Sequence, residues 1–195
     1  MKSIVLASGN PGKKAEIEQL LAPFGTRVIT QVELGVTEAE EPYDTFFENA
    51  LAKARHAAFA TRLPALADDS GLCVDALGGA PGVHSARYAG EPKSDQRNNE
   101  KLLAEMAAHD DRRAHYVCVL VLMRGPGDTQ PLVAEARWHG EIARAPRGSG
   151  GFGYDPYFWL PALGRTAGEL APDEKNRLSH RGQALAKLLE LLKTA

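Results

Sequence analysis

Two kinds of chain connection are written into this sequence, and together they leave few folds open. Near the start, an apolar run at residues 3–7 (SIVLA) feeds Ser8, Gly9, Asn10, Pro11 and Gly12. A helical pattern follows, with Ile17, Leu20 and Leu21 on one side, and a second strand is predicted at 27–32. Strand, helix, strand is the order of parallel pairing, because parallel neighbours need a crossover connection. Further on, β segments at 115–124 and 132–144 are joined through Gly125, Pro126, Gly127 and Asp128, which suits antiparallel neighbours. A chain that does both builds a mixed sheet, so the predicted class is α/β with helices flanking a mixed β-sheet.

The rest of the pattern fits that class. Pro42 or Tyr43 opens a long helix to about Thr61, with Phe46, Phe47, Ala50, Ala54, Ala57 and Ala58 at helical spacing. Residues 64–67 read as a short strand ending at Asp68-Asp69-Ser70-Gly71. Residues 77–88 are loop-like, 94–108 helical, and 182–193 a closing helix with Leu185, Leu188, Leu189 and Leu192 as its apolar face. No repeat or linker interrupts the 195 residues, so one domain spanning 1–195 is expected. Lys and Arg number 23 against 25 Asp and Glu, a net charge of −2. That balance excludes a basic nucleic-acid tail and a polybasic anchor, and no apolar run is long enough for a membrane span. Neither nucleic acid nor membrane is expected as a partner. Cys73 and Cys118 lack metal-ligand spacing and read as reduced core thiols; with no signal-peptide pattern, a cytoplasmic location is expected.

Four clusters carry chemistry. The first is SGNPGK at residues 8–13, where a strand runs through a glycine turn into a helix N-terminus. Free backbone N–H groups, the helix dipole and Lys13 would make a phosphate cradle, although the spacing is not that of a Walker A loop. The second is Asp68-Asp69, with Glu38, Glu40 and Glu41 in the acid-rich stretch 33–48. Adjacent carboxylates repel, and hard oxygen ligands in that number suit Mg²⁺. Side chains alternate along a strand, so only one of the two aspartates need face a given ligand. The third, residues 148–153 (GSGGFG), matches G-x-G-x-x-G in form, with Asp173 lying 20 residues beyond Gly153. The dinucleotide reading is rejected, because Pro156 follows where a helix would have to start. A loop that lets backbone and Phe152 approach a flat ligand fits better. The fourth is Lys175 with Ser179, His180 and Arg181, donors suited to carbonyl or phosphate oxygens. His56, His84, His109, His115 and His139 have no ligand spacing, and Trp138 and Trp159 read as core or interface.

In order along the chain, SGNPGK (8–13), ENALAKA (48–54), LADDSGL (66–72), ALGGAPGVHSARYAG (76–90), GGFGYDPYF (150–158) and SHRGQAL (179–185) resemble the inosine/xanthosine triphosphate pyrophosphatases, the RdgB-like family. The resemblance implies an elongated mixed β-sheet flanked by helices, two lobes with a nucleotide-binding cleft between them, and a homodimer. It implies Mg²⁺-dependent hydrolysis of non-standard purine nucleoside triphosphates (ITP, dITP, XTP) to the monophosphate and pyrophosphate, which clears them from the nucleotide pool. By resemblance, Asp69 is the proton acceptor and a metal ligand, and Glu41 a second ligand. Ser8, Gly9, Asn10, Pro11, Gly12, Lys13, Lys53 and Ser70 would hold the triphosphate. Phe152, Gly153, Tyr154, Asp155, Lys175, His180 and Arg181 would bind the nucleoside and its phosphates. Sequence leaves open whether Asp69 is a base or only a ligand. It also leaves open a related pyrophosphatase of modified pyrimidine nucleotides, and a nucleotide-binding module without catalysis.

Overall fold

The computed structural model describes residues 2–194. Strands β1 (Ser3–Leu6), β2 (Arg27–Thr30), β3 (Ala65–Val74), β4 (Arg113–Met123), β5 (Leu132–Ile142), β6 (Phe158–Leu160) and β7 (Arg165–Thr166) form one sheet. Its order is β2-β1-β3-β4-β5-β6-β7. The helices are α1 (Pro11–Leu21), α2 (Phe46–Thr61), α3 (Asp95–Glu105), α4 (Pro172–Leu178) and α5 (His180–Thr194). The mixed sheet expected from the two connection types is present. β1 is parallel to both β2 (Ser3 opposite Arg27) and β3 (Val5 opposite Ala65), and β6 is antiparallel to β5 and β7. No helix among the described residues is long and apolar enough to cross a membrane.

The chain divides into two compact units. The first takes the chain up to Asp69, Cys118–Ala136, and everything from Arg181 onward. Its core joins Ile4 and Leu6 of β1, Ile17 and Leu21 of α1, Leu66 of β3, Leu120 and Leu122 of β4, and Leu185 and Leu188 of α5. These are the apolar faces the sequence periodicity marks, each buried against the sheet. The second unit is Ser70–Val117 with Arg137–His180. Leu72, Val74, Leu102, Met106, Tyr116, Trp138, Ile142 and Phe158 form its core. Trp138 is therefore a core residue, as expected. Cys118 is buried, whereas Cys73 is only half-buried, and both are free thiols.

Most boundaries shift by a few residues, and three of the shifts bear on the site. α2 starts at Phe46 rather than at Pro42 or Tyr43, because Thr45 is the N-cap: its Oγ1 accepts from the Glu48 amide at 3.2 Å. α5 starts at His180 rather than 182. The most consequential is β3. It does not stop at residue 67 but runs ten residues, straight through Asp68-Asp69-Ser70-Gly71. The acidic pair therefore lies inside a strand.

Candidate active site

In the first unit the site grows from the loop after β1, the segment before α2, and the middles of α2 and β3. Beyond β1, Asn10 caps α1. Its Oδ1 accepts from the amides of Gly12 (2.9 Å) and Lys13 (3.2 Å), and Pro11 occupies the first turn, where no N–H is needed. Ser8 Oγ accepts from the Asn10 amide at 3.1 Å. The Gly9 amide donates to Glu38 Oε1 at 2.6 Å. The expectation of free backbone donors in residues 8–13 is corrected here: the amides of Gly9, Asn10, Gly12 and Lys13 all have acceptors within the protein.

Alternation along β3 sends Asp68 and Asp69 to opposite faces, and each meets its own cations. Asp68 is completely buried. Its Oδ1 lies 2.5 Å from Lys13 Nζ, and its Oδ2 accepts from Arg181 Nε at 2.8 Å and from the Cys118 thiol at 3.2 Å. Arg181 also pairs with Glu16 of α1. Burial alone would raise the Asp68 pKa, but the Arg181 and Lys13 charges prevail and hold it well below the ordinary 3.8. Arg181, expected to face the nucleoside, is itself buried on these two carboxylates.

Asp69 Oδ1 accepts from Lys53 Nζ at 2.7 Å, and Lys53 also donates to Glu41 Oε1 at 2.6 Å. The Asp68 carbonyl oxygen accepts from both Lys53 (3.0 Å) and Lys13 (3.3 Å), so the two ammonium groups meet on one peptide. Asp69 Oδ2 is buried with no hydrogen-bond partner. Burial outweighs the neighbouring lysines there and raises the Asp69 pKa above 3.8. The opposite holds at Lys53: burial lowers its pKa, but Asp69 and Glu41 more than reverse this and raise it. Among the described residues no three acidic, histidine or cysteine groups are gathered to cage a metal. Mg²⁺, however, commonly uses one or two carboxylates with substrate phosphates as the remaining ligands. Glu41 and Asp69, already sharing one cation and leaving a bare buried oxygen, fit that pattern.

The second unit holds the other candidates. Glycines at 148, 151 and 153 take positive φ, and the loop folds over Asp155. Asp155 Oδ2 accepts from the Phe152 amide at 2.9 Å and pairs with Lys175 Nζ at 2.6 Å. Lys175 Nζ also lies 4.8 Å from the Phe152 ring centre. Gly153 is held on both sides: its amide donates to Asp95 at 2.7 Å and its carbonyl accepts from Asn99 at 2.9 Å. Tyr154 donates to the Ser85 carbonyl at 2.8 Å. His180 stacks on Tyr116 at 4.6 Å between ring centres, with the planes 8° apart. Ser70 continues β3 immediately after Asp69. A single 3-10 turn, Asp155–Tyr157, follows the glycines where a dinucleotide fingerprint needs a helix.

The structure thus gathers Lys13, Lys53, Glu41, Asp69 and Arg181 in one unit, and Phe152, Gly153, Asp155, Lys175 and His180 in the other. Sequence reasoning grouped Glu38 and Asp68 with the acids suited to Mg²⁺, and the structure ties them instead to the Gly9 amide and to Lys13 and Arg181. It missed Glu16, Asp95, Asn99 and Tyr116. These are ordinary polar residues whose roles come from long-range contacts.

A family model described as the Ham1 family matches residues 4–191. A protein of Nitrosomonas europaea named dITP/XTP pyrophosphatase is 64% identical over 192 residues, covering 98% of this chain and 95% of its own. One of the same name from Ralstonia nicotianae is 64% identical, covering 99% and 98%. The solved structure of a HAM1 protein from Coxiella burnetii superimposes with a TM-score of 0.90 at 52% identity, over 100% of both chains.

Proposed function

The chain belongs to the Ham1 family, and from that premise we propose that it is a nucleoside-triphosphate pyrophosphatase that acts on dITP, XTP and ITP. The products are the monophosphate and intact pyrophosphate, and the role is to remove these nucleotides before a polymerase uses them. The observation that carries the chemistry is Asp69: a buried carboxylate with one oxygen on Lys53, the other bare, and a pKa raised by burial. A base with a raised pKa takes a proton from water more readily than an ordinary carboxylate does.

Water attack on the α-phosphorus, with pyrophosphate as the leaving group, gives both products. Asp69 Oδ2 accepts the proton of that water, while Lys53 on Oδ1 holds the carboxylate in place. Lys13 and Lys53 offset charge on the phosphates, the main task of a protein in phosphoryl transfer. Glu41 and Asp69 would hold Mg²⁺, which supplies further charge neutralisation when bound. Phe152, backed on Lys175, offers an apolar face for a purine. Hypoxanthine and xanthine carry a 6-keto acceptor where adenine carries an amino donor, so donors such as His180 favour the former by about 1–3 kcal/mol. Arg181 is engaged through Nε and both Nη atoms by Asp68 and Glu16, so His180 is the donor to which the base preference is assigned.

The test is turnover of purified protein on dITP, ITP, XTP, GTP and ATP with Mg²⁺ and with chelator. Pyrophosphate release from the first three, at least tenfold faster than from ATP and lost with chelator, is expected; orthophosphate as product or equal turnover overturns the reading. Sedimentation velocity tests the expected homodimer.

A further inference from the structure

The Gly9 amide donates to Glu38 at 2.6 Å, a charge-assisted contact made by the one amide in residues 9–13 whose acceptor lies far away in the chain. Every other acceptor in that loop is local. Ser8 serves Asn10, and Asn10 serves Gly12 and Lys13. Glu38 itself is exposed. Its backbone, however, is positioned. The carbonyl of the preceding Thr37 accepts from Gln31 Nε2 at 3.3 Å and lies 2.9 Å from His56 Nε2, and the Val36 amide donates to the Gln31 carbonyl at 2.9 Å. Gly9 is shaped to receive the carboxylate: a Cβ at this position would stand 2.8 Å from Glu38 Oε1. Glu33, five residues earlier, is tied to Lys14 of α1 at 3.0 Å, which anchors the same segment to the helix.

A carboxylate oxygen on a backbone amide, at the mouth of a loop that leads into a helix N-terminus, presents what a phosphate oxygen presents there. We propose that Glu38 is a built-in competitor for the phosphate loop, occupying the Gly9 amide until a polyphosphate displaces it. This rests on the assignment of residues 8–13 to triphosphate binding. Its consequence is selectivity by charge. A ligand must bring enough negative charge, with its counter-cations, to exchange for a carboxylate that is already in place. Monophosphates and orthophosphate compete poorly, and the polyphosphate end is favoured.

Three proteins separate this from a general charge effect: wild type, Glu38→Ala, and Asp44→Asn, which removes an exposed charge from the same acidic stretch. The probes are inorganic triphosphate and orthophosphate, titrated calorimetrically with Mg²⁺, and the ¹H–¹⁵N resonance of Gly9. Without ligand, the Gly9 amide proton of wild type should lie downfield and move upfield in Glu38→Ala. Triphosphate should bind Glu38→Ala about tenfold more tightly than wild type, the scale of one charge-assisted hydrogen bond. Orthophosphate should gain at least as much, and Asp44→Asn should change neither by more than about twofold. A Gly9 resonance that ignores the Glu38 substitution overturns the proposal, as does equal or weaker triphosphate binding in Glu38→Ala, or equal gains in Glu38→Ala and Asp44→Asn. Turnover plays no part in these readouts, so a failed pyrophosphatase assay and a failed competitor are distinguished.

Discussion

Asp68 and Asp69 are neighbours with opposite thermodynamic roles. Asp68 has every oxygen engaged and a depressed pKa, so its ionised form favours folding. That contribution is complete above the ordinary value of 3.8 and is lost as pH falls towards the lower folded value. Asp69 has a raised pKa, so its ionisation opposes folding at neutral pH. Two substitutions should therefore separate. Asp69→Asn is expected to reduce kcat at least a thousandfold with a melting temperature equal to or above wild type. Asp68→Asn strands Lys13 and Arg181 beside a neutral group and should cost about 3–5 kcal/mol, roughly 10 °C in Tm for a chain of this size. Calorimetric melts with single-turnover kinetics check both, and a destabilised Asp69→Asn would contradict the account. The pH–rate profile is a further check. The acid limb of kcat/KM, which reports the free enzyme, should lie above pH 3.8, because turnover needs the Asp69 carboxylate.

At the scale of elements, the decisive feature is that β3 continues through a sequence that reads as a turn. Asp, Ser and Gly are poor strand residues by propensity. Here the two carboxylates are held by cations from α1, α2 and α5, and tertiary context overrides the local preference. The start of α2 is set locally, by the Thr45 cap rather than by the proline upstream. In the glycine loop, too, local chemistry is obligatory. Gly151 has φ +74°, and a Cβ there would stand 2.1 Å from Asp155 Oδ2, the oxygen that holds Lys175 and the Phe152 amide. Gly151→Ala should push Asp155 aside, destabilise the fold by about 1–3 kcal/mol, and raise KM for ITP more than it lowers kcat. Steady-state kinetics and thermal melts read both effects; an unchanged KM would show that the Asp155–Lys175 pair does not serve the nucleotide.

For the molecule as a whole, a net charge of −2 gives little long-range attraction for a polyanion. The cations of the site are already matched by acids: Lys13 by Asp68, Lys53 by Glu41 and Asp69, and Lys175 by Asp155. Raising ionic strength from about 50 to about 200 mM should therefore change kcat/KM for ITP less than about tenfold at fixed free Mg²⁺. A steep salt dependence would reveal steering that this charge distribution does not provide. The sequence by itself determined the α/β class, the mixed sheet, the apolar faces of α1 and α5, and the glycine loop, because these follow from periodicity and backbone sterics within short windows. It also marked most of the candidate site, since motif order along the chain is a one-dimensional property. Only the tertiary structure decided which acid meets which cation. Asp68 anchors Lys13 and Arg181 while Asp69 keeps a bare oxygen, and Glu38 reaches Gly9 across 29 positions. Partners so distant in the chain leave no local pattern, and burial sets the sign of a carboxylate's pKa shift only once the fold has chosen its neighbours.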